Sequence, residues 1–260
     1  MQKTDVHTLT TALAGLARDA GATIMRHYES GVATSRKADH SPVTIADHEA
    51  EALILNALDT LAPGIPVIAE EEAAAGRLPK IGERFFLVDP LDGTREFLDR
   101  NGEFTVNIAL VEHGAPVAGV VFAPAQDRLF TGAHGIGAFE VSKGQRRAIL
   151  ARQAPPGGLI AVASRSHRDH KTDEILKTYR VAKIVSAGSS IKFCLIAAGE
   201  ADLYPRHGRT MEWDTAAGHA VLTAAGGRVT LLDGATPLSY GKSQDAFANP
   251  HFVAWGRASN

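Results

Sequence analysis

The run Asp89-Pro90-Leu91-Asp92-Gly93-Thr94 constrains this chain more than any other stretch. It follows Phe85-Phe86-Leu87-Val88, an apolar segment of a length suited to a buried β-strand. The strand ends on an acid, proline then blocks further ladder pairing, and glycine permits a tight turn. Two carboxylates three residues apart are thereby thrown onto a turn at the edge of a core, where uncompensated negative charge is costly. A hard cation would relieve that charge, and carboxylates beside a backbone carbonyl suit Mg²⁺. A solvated acidic turn accounts for the same six residues, as it does for most Asp-Pro and Asp-Gly pairs. Taken alone, the run does not separate the two.

Further acids lie upstream and downstream. Pro66-Val67-Ile68-Ala69 reads as a strand ending in Glu70-Glu71-Glu72, and Trp213-Asp214-Thr215-Ala216-Ala217-Gly218 opens a helix of small residues. The combination of a Glu-Glu pair, Asp-Pro-Leu-Asp-Gly-Thr and Trp-Asp-x-Ala-Ala-Gly, in that order, resembles the inositol monophosphatase superfamily of Mg²⁺-dependent phosphatases. The resemblance runs from the first helix to the last strand.

At 260 residues the chain is long enough for a sizeable core and near the size at which one core divides. Its 45% hydrophobic and 22% charged residues are ordinary for a globular protein. The net charge of −2 and the lack of a basic block argue against a nucleic-acid polymer as partner, so any anion must meet a local basic cluster. The one cysteine, Cys194, sits among Ile191, Phe193, Leu195 and Ile196 and reads as a buried structural thiol in a reducing compartment. The N-terminus has no signal-peptide core, and no apolar run is as long as a membrane span. A cytoplasmic protein is expected. Peripheral inner-membrane association and the choice between monomer and oligomer are left open.

Apolar residues at three- and four-residue spacing predict a helix over 5–28, followed by a polar loop over 31–42 with Arg36 and Lys37. A second helix is expected from 43 or 44 to 61, with Asp47 and Glu51 on one face. Strands are expected at 66–69, 85–89, 104–112, 116–123, 127–131 and 137–141, joined by short turns, which argues for an antiparallel or mixed sheet. After Pro155-Pro156-Gly157-Gly158 the pattern alternates: strand 159–163, helix 170–180, strand 182–186, helix 189–199, strand 201–204, helix 214–225 and strand 228–231. The reading is an α/β protein with an α+β half over 1–154 and an α/β half over 155–260. The resemblance implies a layered αβαβα sandwich.

It also implies site residues. Glu70, Asp89, Asp92 and Asp214 would ligate two or three Mg²⁺ ions with the Leu91 carbonyl. Oxygen ligands suit that ion, and two metals about 3.5–4 Å apart can clamp the attacking and leaving oxygens of a phosphate. Thr94, Glu71 and Asp47 would orient the attacking water; read singly, Asp47 is an exposed helix acid. Gly93 and Thr94 would offer amides to a phosphate oxygen.

Within the superfamily the chain resembles the bisphosphate nucleotidase branch. The matching segments are Arg95-Glu96-Phe97, where inositol-specific members have Asn-Phe after the threonine, Asn101 to Asn107, Ser164-Arg165-Ser166, Gly188 to Lys192 and Arg209 to Asp214. In the second half Arg165, Lys192, Arg206 and Arg209 could bind a second phosphate, with Ser189, Ser190 and Asp214 as further substrate contacts. Singly, each cation reads as a solvated surface charge. The implied activity is hydrolysis of 3′-phosphoadenosine 5′-phosphate to AMP and phosphate, by metal-activated water on a small-molecule nucleotide. A phosphatase of inositol-1-phosphate or of sugar phosphates generally, and a non-catalytic metal- or phosphate-binding protein, are the alternatives. Gly241-Lys242-Ser243 lacks the frame of a P-loop, and His167-Arg168-Asp169 that of a kinase loop. His167 and His170 read as exposed loop histidines rather than zinc ligands.

Overall fold

The computed structural model describes residues 3–31, 34–36, 42–166 and 168–258. The expectations placed on Lys37 and His167 lie outside the described residues. Helix α1 (Lys3–Ser30) buries Leu9, Leu13, Leu16, Ala17, Ala20 and Ile24, one stripe of its surface. The expected loop is partly a hairpin, β1 (Thr34–Arg36) antiparallel to β2 (Pro42–Thr44). Helix α2 (Ile45–Leu61) opens on a capping box. Thr44 Oγ1 accepts the Ala46 N–H, and Asp47 Oδ2 accepts the Thr44 N–H at 2.8 Å.

Strand β3 (Val67–Ala69) runs straight into a short helix, α3 (Glu70–Ala74), so the acids expected at a strand end open a helix instead. Strand β4 (Arg84–Asp92) also departs from expectation. Its ladder with the next strand skips Pro90 and Leu91 and resumes at Asp92. Proline does not end the strand. Lacking an N–H, it is absorbed as a bulge, which bends the strand and re-aims its acids. Then follow α4 (Thr94–Leu98), β5 (Thr105–Glu112), β6 (Ala115–Ala123), β7 (Arg128–Ala133), β8 (Gly137–Ser142) and β9 (Gln145–Ile149). Strands β3 to β9 form a seven-stranded sheet in sequence order, parallel only between β3 and β4.

The remaining elements are β10 (Leu159–Ser164), α5 (His170–Lys177), β11 (Val181–Ala187), α6 (Ile191–Ala197), β12 (Leu203–Arg206), α7 (Glu212–Ala224), β13 (Arg228–Leu231) and β14 (Phe252–Trp255). They build a five-stranded sheet ordered β11-β10-β12-β14-β13. Strands β9 and β14 are absent from the sequence reading. The first is a polar, exposed edge, Gln145-Arg146-Arg147, and the second is only four residues long.

Helices α1 and α2 cover one face of the larger sheet, α6 and α7 lie between the two sheets, and α5 packs on the far side of the smaller one. Helix α7 seats closely because β6 and β7 carry glycines beneath it. A Cβ on Gly119 would fall 2.5 Å from the Ala217 carbonyl oxygen, and one on Gly132 2.5 Å from the Val221 Cα. One apolar core therefore runs from Phe85 and Leu87 of β4, through Phe193 and Trp213, to Phe252 of β14. That packing brings the start of α7 to the end of β4.

Candidate metal and phosphate site

The end of β4, the start of α3 and the start of α7 meet at one cleft of about 380 Å³. Glu70, Asp89, Asp92 and Asp214 line it, with Leu91, Gly93 and Thr94 on the same wall. Asp89 Oδ1 accepts the Leu91 N–H at 3.1 Å, which closes the turn. Gly93 follows with left-handed backbone, φ 91°, a conformation that glycine adopts without strain. Asp214 Oδ2 accepts the Met211 N–H at 2.8 Å.

These acids disturb one another. Burial, and then the charges of Glu70, Asp92 and Asp214, push the Asp89 carboxyl well above the usual carboxylate range. Burial followed by Asp92 and Glu70 does the same to Asp214. Burial also raises Asp92, against the pull of the Lys192 ammonium and the Ser190 hydroxyl. Among the described residues no three acid, histidine or cysteine side chains form a ready-made metal cage. The donor set nonetheless fits a hard divalent cation: it is all oxygen, and its repulsion is what such a cation relieves.

Behind this wall, Thr94 Oγ1 lies 3.4 Å from Asp47 Oδ1 and 3.4 Å from the Leu91 carbonyl. Asp47 is buried, contrary to the reading of it as a lone exposed acid, and Thr44 Oγ1 donates to its Oδ2 at 2.7 Å. Glu71 is buried next to Glu70. Its N–H and that of Glu72 donate to the Glu51 carboxylate at 2.8 and 2.9 Å. Burial pushes the Glu51 carboxyl up to about 7, against the two amide bonds. Glu51 thus caps α3 from α2 and sets where Glu70 and Glu71 stand. The sequence signal for it was its position one turn after Asp47 on the same face.

Ser189, Lys192, Arg206 and Arg209 also line the cleft. Lys192 is buried, with Nζ 5.2 Å from the Tyr204 ring centroid and donating to the Ser189 carbonyl. Burial draws its ammonium down to about 8, although Asp92 holds it up. Arg206 is buried too; one of its terminal N–H groups donates to the Arg209 carbonyl at 3.0 Å, while Nε has no hydrogen-bond partner among the described residues. Lys192 and Arg206 are therefore not the solvated surface charges that each suggests singly, whereas Arg209 is exposed.

Two expected substrate contacts fall elsewhere. Arg165 makes a bidentate pair with Glu103, both contacts at 2.8 Å, and donates to the Ser186 carbonyl. It is half-exposed, paired with Glu103 and outside the cleft lining. Ser190 is buried behind the wall, where its Oγ lies 2.8 Å from Asp92 Oδ2 and receives the Asn107 amide at 2.9 Å. Asn107 enters the sequence reading only as the end of a motif.

The inositol monophosphatase family model matches residues 5–256. This chain belongs to the inositol monophosphatase family. Within it, the chain is 48% identical over 239 residues to the 3′(2′),5′-bisphosphate nucleotidase CysQ of Shigella flexneri, covering 91% of this chain and 95% of that one. The crystal structure of CysQ from Bacteroides thetaiotaomicron superposes with a TM-score of 0.82 at 38% identity, covering 97% and 98% of the two chains. An inositol monophosphatase from Anabaena superposes at 0.76 with 27% identity, over 96% and 91%. The family consists of metal-dependent phosphatases, and both sheets and the helix layers of this chain follow its fold. Among the described residues no helix is long and apolar enough to cross a membrane.

Proposed function

We propose that this family member is a Mg²⁺-dependent 3′(2′),5′-bisphosphate nucleotidase that hydrolyses 3′-phosphoadenosine 5′-phosphate to AMP and phosphate. The observation that carries the reading is the pairing of two opposite charge fields in one cleft. The carboxylates of Glu70, Asp89, Asp92 and Asp214 line it together with the cations of Lys192, Arg206 and Arg209. A monophosphate needs only the first field; a substrate with two phosphates uses both. The CysQ relative of Shigella flexneri, a 3′(2′),5′-bisphosphate nucleotidase, agrees with this.

Glu70, Asp89, Asp92, Asp214 and the Leu91 carbonyl would hold two or three Mg²⁺ ions. When bound, such ions polarise the phosphoryl oxygens and lower the pKa of a water. The chain's own residues do the rest. Thr94 directs its hydroxyl proton toward Asp47 or the Leu91 carbonyl, so that its lone pair is left to orient the attacking water, with Glu71 beside it. The Gly93 and Thr94 amides face a scissile phosphate oxygen. Lys192, Arg206, Arg209 and Ser189 take the second phosphate and hold the substrate in line, which converts binding energy into orientation. Ser190 and Asp214 support that geometry from the α6 and α7 side. The buried, unpaired Cys194 fits a reducing compartment, and we place the enzyme in the cytoplasm.

Steady-state assays with Mg²⁺ against 3′-phosphoadenosine 5′-phosphate, inositol-1-phosphate and a simple sugar phosphate test the reading. The bisphosphate is expected to lead by about tenfold or more in kcat/KM, the worth of one charge-assisted contact. EDTA should abolish turnover, and Mg²⁺ should restore it. Equal efficiency on all three substrates would move the chain to the general phosphatases of the family. No turnover with any of them would leave a binding protein.

A further inference from the structure

One carboxylate in the cleft stands outside the acids assigned to metal. Glu96, the third residue of α4, is 4% exposed and lines the cleft with Asp92, Lys192 and Arg206. An acid there repels every phosphate that enters, so its presence calls for a partner of another kind. Lys192 attracts it without hydrogen-bonding it, since the Lys192 ammonium donates to the Ala187 and Ser189 carbonyls. Among the described residues the side chain that hydrogen-bonds it is Ser166, whose hydroxyl donates to Oε1 at 2.6 Å.

The side chain is also held in place. A Cβ on Gly188 would come within 2.7 Å of Glu96 Cγ, so the stem is packed directly against that glycine. Oε2 then falls on the Gly93 side, 3.3 Å from where a Cβ on Gly93 would stand. A pre-oriented acceptor oxygen thus sits beside the turn that carries Asp92 and Thr94, where the scissile phosphate would lie.

We infer that Glu96 is a specificity-determining residue whose Oε2 accepts a hydrogen bond from the sugar hydroxyl vicinal to the scissile phosphate. That group is the 2′-hydroxyl when the phosphate is on C3′, and the 3′-hydroxyl when it is on C2′. A neutral O–H donor is the kind of substrate group that an acid favours in a cleft otherwise suited to phosphate. The vicinal hydroxyl is the donor nearest the scissile group, whereas the base and the 5′-phosphate lie farther along the substrate. The same charge disfavours a second phosphate on that vicinal carbon. The inference rests on the nucleotidase reading.

The test compares kcat/KM for adenosine 3′,5′-bisphosphate and its 2′-deoxy analogue in wild type, Glu96→Ala, Glu96→Gln and Ser166→Ala. Wild type should favour the ribose substrate. Glu96→Ala should cost that substrate about tenfold or more while leaving the deoxy analogue within about twofold, the signature of a lost hydrogen bond to a charged acceptor. Glu96→Gln and Ser166→Ala should show smaller losses, again confined to the ribose substrate, and they decide the matter if the alanine variant fails to fold. Equal losses on both substrates would overturn the inference and leave Glu96 a positioning residue for Lys192, with the nucleotidase reading intact. Hydrolysis of neither bisphosphate by wild type would overturn the nucleotidase reading, and this inference with it.

Discussion

Ser190 Oγ lies 2.8 Å from Asp92 Oδ2 and also contacts the Asp214 carbonyl, so one hydroxyl at the start of α6 ties the acidic turn of β4 to the first turn of α7. Ser190 is buried behind the acids proposed to hold metal and is not part of the cleft lining. Ser190→Ala should weaken divalent-cation binding by about tenfold, the usual cost of losing a group that orients a ligand. Titration calorimetry with Mn²⁺ and the Mg²⁺ half-saturation of activity should move together. A change in substrate KM alone would return Ser190 to the substrate wall.

Asp92→Asn should leave the melting temperature near that of wild type, because burial disfavours the charged form in the fold. Activity should nonetheless fall by about a thousandfold or more, since several kcal/mol of charge stabilisation in the transition state would depend on Asp92 as a proposed metal ligand. Turnover within a few-fold of wild type at saturating Mg²⁺ would remove Asp92 from the ligand set.

Thr94→Ala separates orientation from metal holding. The carboxylates remain, while the contacts of Thr94 Oγ1 to Asp47 and Leu91 are lost. A fall in kcat of about a hundredfold is expected with little change in Mg²⁺ half-saturation. Parallel losses in both would make Thr94 a structural cap of the turn.

The two cations of the second half should behave differently. Lys192→Ala should erode the preference for a bisphosphate by about tenfold, because a buried charge on the cleft wall is removed. Arg165→Ala should change kcat/KM by less than about threefold, since a half-exposed pair with Glu103 contributes little. Comparing the two variants on the bisphosphate and on a simple monophosphate checks both.

His219 gives a pH dependence of stability. It is buried, 3.0 Å from the Tyr240 hydroxyl, and burial draws its imidazole from 6.5 down to about 3. As pH falls below about 6.5 the unfolded chain takes up a proton that the folded chain refuses until about pH 3. Stability therefore drops across that window, by at most about 1.4 kcal/mol per pH unit from this group. Denaturant unfolding of wild type and His219→Gln between pH 7 and pH 4 should give diverging slopes. Parallel slopes would mean that His219 is protonated in the fold.

The acids of Glu70, Asp89, Asp92 and Asp214, the strand that precedes Asp89 and helices α1, α2, α5, α6 and α7 were legible from residue order. Each rests on local rules: apolar periodicity, turn chemistry and the hardness of oxygen ligands. The resemblance to the family rests on the same short runs. Other features depend on what lies across the fold, where spacing along the chain carries no information. Pro90 by itself signals a stop, yet β5 continues pairing beyond it and makes it a bulge. Asp47 and Lys192 read as surface charges singly, and the packing of α2 and α6 buries both. Arg165 and Lys192 carry the same charge in similar motifs, but only tertiary contacts give one to Glu103 and the other to the cleft. Residue types and their order determined which chemistry was available. The seating of α7 on Gly119 and Gly132 decided where that chemistry converges, because the free energy of a carboxylate or an ammonium depends on neighbours that the fold alone supplies.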